Sequence, residues 1–347
     1  MSRFLRSRVA LVLALAADLL LYAGSTGPYD YTAASFEAAL AAQELVTDEW
    51  LAKDGVVGTA IGVDGMGKAV LKVYLTRPGA ALVPPFVSVA SGTTVRVMPE
   101  ITGEFRALPM EAASAEDADP TKSFPRPVPI GVSTGHGKVT AGTIGARATD
   151  GARTFALSNN HIFAANNDAQ PGDNLLQPGV VDGGRDPGDV IGTLHDFEPI
   201  RFCQALLCPG NTLDAAVALT TTDDVGNATP DGGYGEPRST TAEAELGMSV
   251  QKYGRTTGHT MGQISGLNAT IDVGYRDGKA RFEGQIVISG RGFSAGGDSG
   301  SLVVTKGLLL SDRRPVGLLF AGTQTTTLAN PIDLVLDRFG ITIDGGG

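Results

Sequence analysis

GFSAGGDSGSLVV, residues 292–304, sets Ser299 between Asp298 and Gly300 in a glycine-rich turn that runs directly into an apolar strand. Glycines at 296, 297 and 300 let the backbone fold tightly around the hydroxyl and leave room for a substrate carbonyl. The amides of Gly297 and Ser299 are then placed to address one oxyanion, a contribution of roughly 10²–10³ in rate per donor. Taken alone, the stretch also reads as an ordinary polar turn, so the weight falls on whether a base and an orienting carboxylate accompany it.

Four histidines are available: His136, His161, His195 and His259. His161 ends the run TFALSNNH, an apolar strand followed by two asparagines, and a strand end holds an imidazole rigidly while leaving its tip accessible. His136 falls in an STGHG turn, His259 in a Gly/Thr loop and His195 inside a strand, and structural roles are expected for all three. The third member must orient the imidazole and stabilise its charged form, which calls for a partly buried carboxylate. Asp214 in NTLDAAVALT has that apolar setting, where an unpaired carboxylate is costly. Asp196 is the alternative, while Asp223 and Asp224 stand in a polar turn. His161, Asp214 and Ser299 are therefore the predicted catalytic residues, with Gly297 and Ser299 as oxyanion donors.

The surrounding texture agrees. KVTAGTIGARA, RTFALS, DVIGTLHDF, LDAAVALT, MSVQKYG, GQISGL, GQIVIS and SLVV are short segments parted by Gly, Asp and Asn turns, the spacing of a β-sandwich or barrel. PIDLVLDRFG near the end places Ile332, Val335, Leu336 and Phe339 on one helical face.

The order His, Asp, Ser resembles the chymotrypsin-like serine proteases, in which one barrel supplies His and Asp and the second supplies Ser. KYGRTTGHTMGQI, residues 252–264, resembles the segment of bacterial members such as α-lytic protease and the streptogrisins. GVVGTAIGVD and KVYLTRPGA, with LSNNHIFA, NTLDAAVA and VGLLFAGT, resemble bacterial trypsin-like proteins related to the plant narrow-leaf regulator. The resemblance covers about residues 128–340. It implies a mainly β fold of two six-stranded antiparallel β-barrels over residues 128–343, with a substrate that is a protein or peptide. It also implies that Arg255 holds Asp298 and so fixes the oxyanion turn, and it points to Phe293, Phe320 and Gly322 as a shallow or apolar substrate pocket. The chain departs from the pattern at several positions. Ser301 follows GDSG where Gly is usual. Phe320 and Ala321 stand where many relatives have Ser and Trp, removing a hydroxyl often found beside the catalytic Asp. Lys252 and Met261 replace the cysteines that flank GRTTG in the secreted enzymes.

Ahead of the barrels, residues 30–107 read as a small α+β domain. Phe36, Leu40, Leu45 and Leu51 recur at helical spacing, VVGTAIGV and AVLKVYL form a hairpin about DGMGK, and TTVRVMPEI is a further strand. This domain is expected to be a pro-segment or a partner-binding module. Residues 108–127, rich in Ala, Pro and acid, read as an exposed linker. The first 25 residues read as a signal peptide or short anchor, with Arg3, Arg6 and Arg8 before an apolar run that Asp18 interrupts. A secreted or extracytoplasmic location follows, with a cytoplasmic or membrane-anchored protein as the alternative.

Composition limits the rest. With 42% apolar and 18% charged residues among 347, a sizeable core forms, and 47 glycines favour short strands and tight turns. A formal charge of −10 without a basic cluster beyond the leader argues against a nucleic-acid partner. Cys203 and Cys208 are too widely spaced for a CxxC pair and too few for a zinc site; they form either a local disulfide or two buried thiols. No metal or cofactor is expected. GVDGMGKA, residues 62–69, lacks the final Ser/Thr and the helix of a phosphate loop and reads as a hairpin turn. The acidic run from Asp168 to Asp189 lacks calcium-loop spacing and reads as a solvated loop. Function is thus expected to be serine endopeptidase activity, the alternative being an inactive barrel that binds or regulates other proteins.

Overall fold

Two closed β-barrels and a leading α+β unit make up the protein in a computed structural model that describes residues 32–107, 119–205, 207–307 and 313–347. The leader and most of the linker lie outside the described residues. Among the described residues no helix is long and apolar enough to cross a membrane.

The leading unit runs α1 (Ala33–Leu51), β1 (Val56–Val63), β2 (Ala69–Leu75), β3 (Phe86–Ser88), β4 (Thr94–Ile101) and β5 (Phe105–Arg106). Thr32 caps α1 by accepting a hydrogen bond from the Ser35 amide at 3.2 Å. The helix forms where the sequence places it, but Leu45 faces solvent and the buried face is Ala38, Ala39 and Ala42 with Trp50 and Leu51. Alanines let the helix axis approach the sheet closely, so the smaller residues take the inner face. The β1–β2 hairpin turns at Asp64, whose carboxylate accepts from the Met66 and Lys68 amides at 2.9 and 3.0 Å.

The first barrel is built from β6 (Ser133–His136), β7 (Gly142–Thr143), β8 (Ala146–Thr149), β9 (Thr154–Ser158), the single-turn α2 (Asn160–Phe163), β10 (Asn174–Leu176) and β11 (Val190–Phe197). β13 (Ala216–Thr220) completes it, after the short β12 (Gly210–Asn211), which pairs instead with the sheet of the second barrel. β7 and β8 are two halves of one bent strand. Across the bend the Ile144 amide bonds Val132 and the Gly145 amide bonds Leu157, which closes the ring from β6 through β7–β8, β9, β13, β11 and β10 back to β6.

The second barrel takes β14 (Ser249–Gly254), the long hairpin of β15 (Gly258–Tyr275) and β16 (Gly278–Ser289), β17 (Leu302–Thr305), β18 (Pro315–Gly322) and β19 (Thr326–Pro331). Its ring runs β14, β15, β16, β19, β18, β17 and back to β14. α3 (Ile332–Phe339) then returns the chain, and β20 (Thr342–Ile343) pairs with β8 of the first barrel. The expected mainly β, two-barrel architecture is present.

The leading unit is not a separate bead. β1 pairs along β15, so β2, β4 and β3 extend the sheet of the second barrel. β5 lies beside both β15 and β18, with Arg106 opposite Gly322. Ala60, Tyr74 and Phe105 share one apolar cluster with Ile271, Phe282 and Phe320. Gln43 on α1 adds a polar tie, donating to the Asn268 carbonyl at 2.8 Å and accepting from the Asn268 side chain at 3.0 Å. Because Phe105 is 1% exposed in the barrel's own cluster, Phe105→Ala is expected to destabilise the whole chain by about 3–5 kcal/mol. Urea unfolding checks this, with one transition in which both units melt together.

Candidate active site

Antiparallel pairing of β9 and β13 sets Ser158 opposite Ala216. Three residues past Ser158 the chain reaches His161 in α2, and two residues before Ala216 it passes Asp214, so the two side chains emerge side by side. The His161 Nδ1 to Asp214 Oδ2 distance is 2.6 Å, and the His161 amide donates to Asp214 Oδ1 at 3.2 Å. Asp214 is fully buried. Its backbone is pinned as well: its amide donates to Asn330 Oδ1 at 3.0 Å and its carbonyl accepts from Asn159 Nδ2 at 2.7 Å.

Ser299 arrives from the other barrel, in the turn between β16 and β17. The Ser299 carbonyl accepts from the Thr143 amide at 2.8 Å, and Thr143 Oγ1 donates to the Gly297 carbonyl at 2.9 Å. The turn is thus stitched to Thr143 of the first barrel, whose carbonyl in turn accepts from Ser158, three residues before His161, at 2.8 Å. Gly300 (φ +95°) fits so closely that a Cβ there would stand 2.3 Å from both Ser158 Oγ and the Thr143 carbonyl. Gly297 (φ +101°) is likewise left-handed, with Thr256 Oγ1 2.4 Å from where a Cβ would sit. The Ser299 hydroxyl donates to the Phe320 carbonyl at 3.4 Å. Among the described residues it makes no hydrogen bond to the imidazole. Among the same residues the Gly297 and Ser299 amides have no protein acceptor, whereas those of Asp298, Gly300 and Ser301 do.

Beneath the turn the arrangement departs from the expectation for Arg255. Its guanidinium forks onto Asp182, Nε meeting Oδ2 at 2.9 Å, with both side chains nearly buried. Asp182 also accepts from Ser133 at 2.5 Å, so this member of the acidic run is packed and paired, not solvated. The cation at Asp298 is Lys252, with Nζ 3.4 Å from Oδ2 and both side chains wholly buried. Asp298 further accepts from the Thr256, Thr257 and Ala295 amides and from the Thr257 hydroxyl, at 2.7–3.1 Å. Lys252 reaches Asp298 because it points inward from β14, whereas Arg255 lies past the strand end, its Cδ 2.9 Å from the Cβ position of Gly297. Burial pulls the Lys252 ammonium below the usual lysine range and the Asp298 charge opposes this.

The pocket expectation also changes. Phe320 and Phe293 are 0% and 1% exposed, packed in two clusters of the second barrel, and the Phe320 ring meets Phe282 at 4.8 Å. β18 is buried along its length. Neither ring opens to a groove; Phe320 presents only its carbonyl to Ser299. Gly322, at the end of β18, faces Arg106 of the leading unit.

The remaining histidines have other partners. His136, in β6 and not in a turn, is buried against Asp173 at 3.2 Å. His195 packs on Phe155, and His259 pairs with Gln251 at 2.9 Å. Asp196 is taken by Arg338 at 2.9 Å. One residue near the site was not legible: Tyr275, at the end of β15, donates its hydroxyl to Asp214 Oδ2 at 2.9 Å. Lys252 was legible in principle, as a lysine on the inward face of a strand.

Residues 187–339 match Peptidase family S64, a stretch that holds Asp214 and Ser299 and begins beyond His161. The chain is similar to the chymotrypsin-like serine proteases. Among solved structures it is similar to Thermobifida fusca Protease A, at 22% identity and TM-score 0.45, covering 63% of this chain and 100% of that one. Nocardiopsis protease shares 18% identity at TM-score 0.44, covering 62% and 99% of the two chains. A serine protease described as glutamic acid specific shares 20% at TM-score 0.44, covering 62% and 100%. No curated protein matches the chain. The family match supports a peptidase.

Removing the Lys252 ammonium strands a buried carboxylate under the Ser299 turn. Lys252→Met is expected to cost about 3–5 kcal/mol of stability, read by thermal and denaturant unfolding. The double variant Lys252→Met/Asp298→Asn should recover a large part of that loss.

Proposed function

We propose that the chain is a serine endopeptidase working through His161, Asp214 and Ser299. Ser299 turns from the Phe320 carbonyl to the imidazole, His161 takes its proton, and the oxygen attacks the peptide carbonyl. The Gly297 and Ser299 amides hold the resulting oxyanion. His161 then protonates the leaving amine, and a water activated by the same imidazole clears the acyl-enzyme. Asp214 keeps the imidazole in one tautomer and stabilises its charged form. What carries the reading is the convergence of a buried Asp–His pair from one barrel with a serine turn from the other, beside two amides without protein acceptors. The disulfide between Cys203 and Cys208 supports an oxidising, extracytoplasmic setting.

A fluorophosphonate probe is expected to label Ser299 covalently in the wild type, with labelling abolished in Ser299→Ala and His161→Ala. Asp214→Asn should slow it by about 10⁴-fold. Mapping the modified residue by mass spectrometry checks the assignment. A folded wild type that never labels would return the non-catalytic binding barrel as the better reading.

We also infer that the leading unit stays attached in the active protein and is not shed as a pro-segment. Tyr74 and Phe105 sitting in the second barrel's cluster, and β1 on the β15 edge, support this, because excision would bare both. Probe-labelled protein is expected to remain uncut between residues 32 and 347 by intact-mass measurement. Labelled material cut between residues 107 and 128, with the leading piece absent, would overturn it.

A further inference from the structure

Tyr275 belongs to the second barrel yet reaches the buried carboxylate of the first. It sits at the turn of the β15–β16 hairpin, opposite Gly278. From there its hydroxyl donates to the same Asp214 oxygen, Oδ2, that meets the His161 ring. Its own ring stands edge-on to the imidazole, with centroids 5.8 Å apart at 72°. Phe202 and Phe282 pack against it at 5.8 and 6.1 Å, so its direction is fixed from three sides. Phe320 and Ala321, on the strand beside Ser299, carry no hydroxyl, and Tyr275 supplies a side-chain O–H donor to Asp214 from another element. The donor is permanent. Burial and the Asp214 charge hold the phenol well above its ordinary range, so it keeps its proton.

We propose that Tyr275 is a positioning residue that anchors Asp214 across the barrel interface and sets the proton affinity of His161. The proposal rests on the peptidase reading only for its consequence in turnover; the effect on the imidazole stands on geometry alone. A phenol donating to Oδ2 draws charge from that oxygen and places the positive end of its dipole beside the ring. Both effects weaken the carboxylate's hold on imidazolium. Taking the hydroxyl away therefore strengthens the Asp–His bond and raises the pH at which His161 loses its proton. Charged groups on the elements packed at this corner are themselves paired: Arg276 with Asp277 at 3.1 Å on the hairpin tip, where Asp277 also accepts from Asn166, Arg106 beside Gly274 with Glu104 at 2.6 Å, and Lys279 opposite Gly274 with Asp272 at 2.9 Å. The Tyr275→Phe change leaves them in place.

The experiment compares wild type with Tyr275→Phe, which keeps the ring and removes one oxygen. In proton NMR, the low-field His161 Nδ1 proton is expected to move further downfield, and the imidazole to titrate at higher pH. Fluorophosphonate labelling should then slow about tenfold on the acidic limb of its pH profile, for a shift of about one unit, and by much less on the alkaline plateau. A proton and titration unmoved in a folded variant would overturn the proposal, as would equal slowing at every pH. If the variant does not fold, 3-fluorotyrosine at position 275 replaces it. This stronger donor of nearly the same shape should shift the proton upfield, and an unmoved proton would again overturn the proposal. A wild type that never labels sinks the peptidase reading but leaves the NMR comparison readable, so the two failures are distinguishable.

Discussion

A carboxylate removed wholly from water at residue 214 has to be satisfied by the protein, and the meeting of the two barrels is organised around that need. An unpaired ion in such a place costs several kcal/mol, enough to consume much of a domain's stability. Asp214 is met by the imidazole and amide of His161 from its own barrel and by the Tyr275 phenol from the other. Its backbone is tied to Asn159 on one side and to Asn330 on the other. Since Asn330 belongs to β19 and Tyr275 to β15, both barrels must dock before the charge is fully satisfied. Docking of the barrels and the full satisfaction of Asp214 are therefore one event.

The same logic repeats below the serine turn. Asp298 is also wholly buried, and its charge is met by Lys252, by three amides and by the Thr257 hydroxyl. This cage holds the backbone on which Gly297 and Ser299 present their amides. Arg255, forked onto Asp182, presses on Gly297 from another side and joins the turn to the first barrel. Two buried carboxylates thus fix the two halves of the proposed site, one beside His161 and the other beneath the Ser299 turn. A rigid site of this kind has little to reorganise when a charge appears on substrate.

How far the sequence disclosed this depended on distance along the chain. His161 and Asp214 were legible because the strand ends that carry them are marked by local texture, and GDSG is a local motif. The two barrels followed from short strands and turns. Arg255 was carried over from the GRTTG resemblance, which transfers a role but not the direction of a side chain; Lys252, three residues earlier, points to Asp298, whereas Arg255 turns to Asp182. Phe320 was placed in the pocket by the resemblance alone, whereas both faces of β18 are covered. The inner face of α1 went to alanines, since apolar spacing alone favours the larger Leu45. Tyr275 left no signal at all, being 61 residues from its partner in a hairpin whose length fixes where its tip falls.

That hairpin also ties the leading unit to the site. β15 is paired by β1 over the stretch through Ile271, and by β5 at Val273 and Gly274, immediately before Tyr275. The tip that reaches Asp214 is therefore braced by strands from the first hundred or so residues of the chain. Without them β15 would present a bare edge, Tyr74 and Phe105 would leave a void beside Phe282, and Phe282 is one of the rings that orient Tyr275. The path of contacts from α1 to the imidazole runs through paired strands and two hydrogen bonds, Tyr275 to Asp214 and Asp214 to His161, which is the physical ground for proposing that the leading unit stays attached.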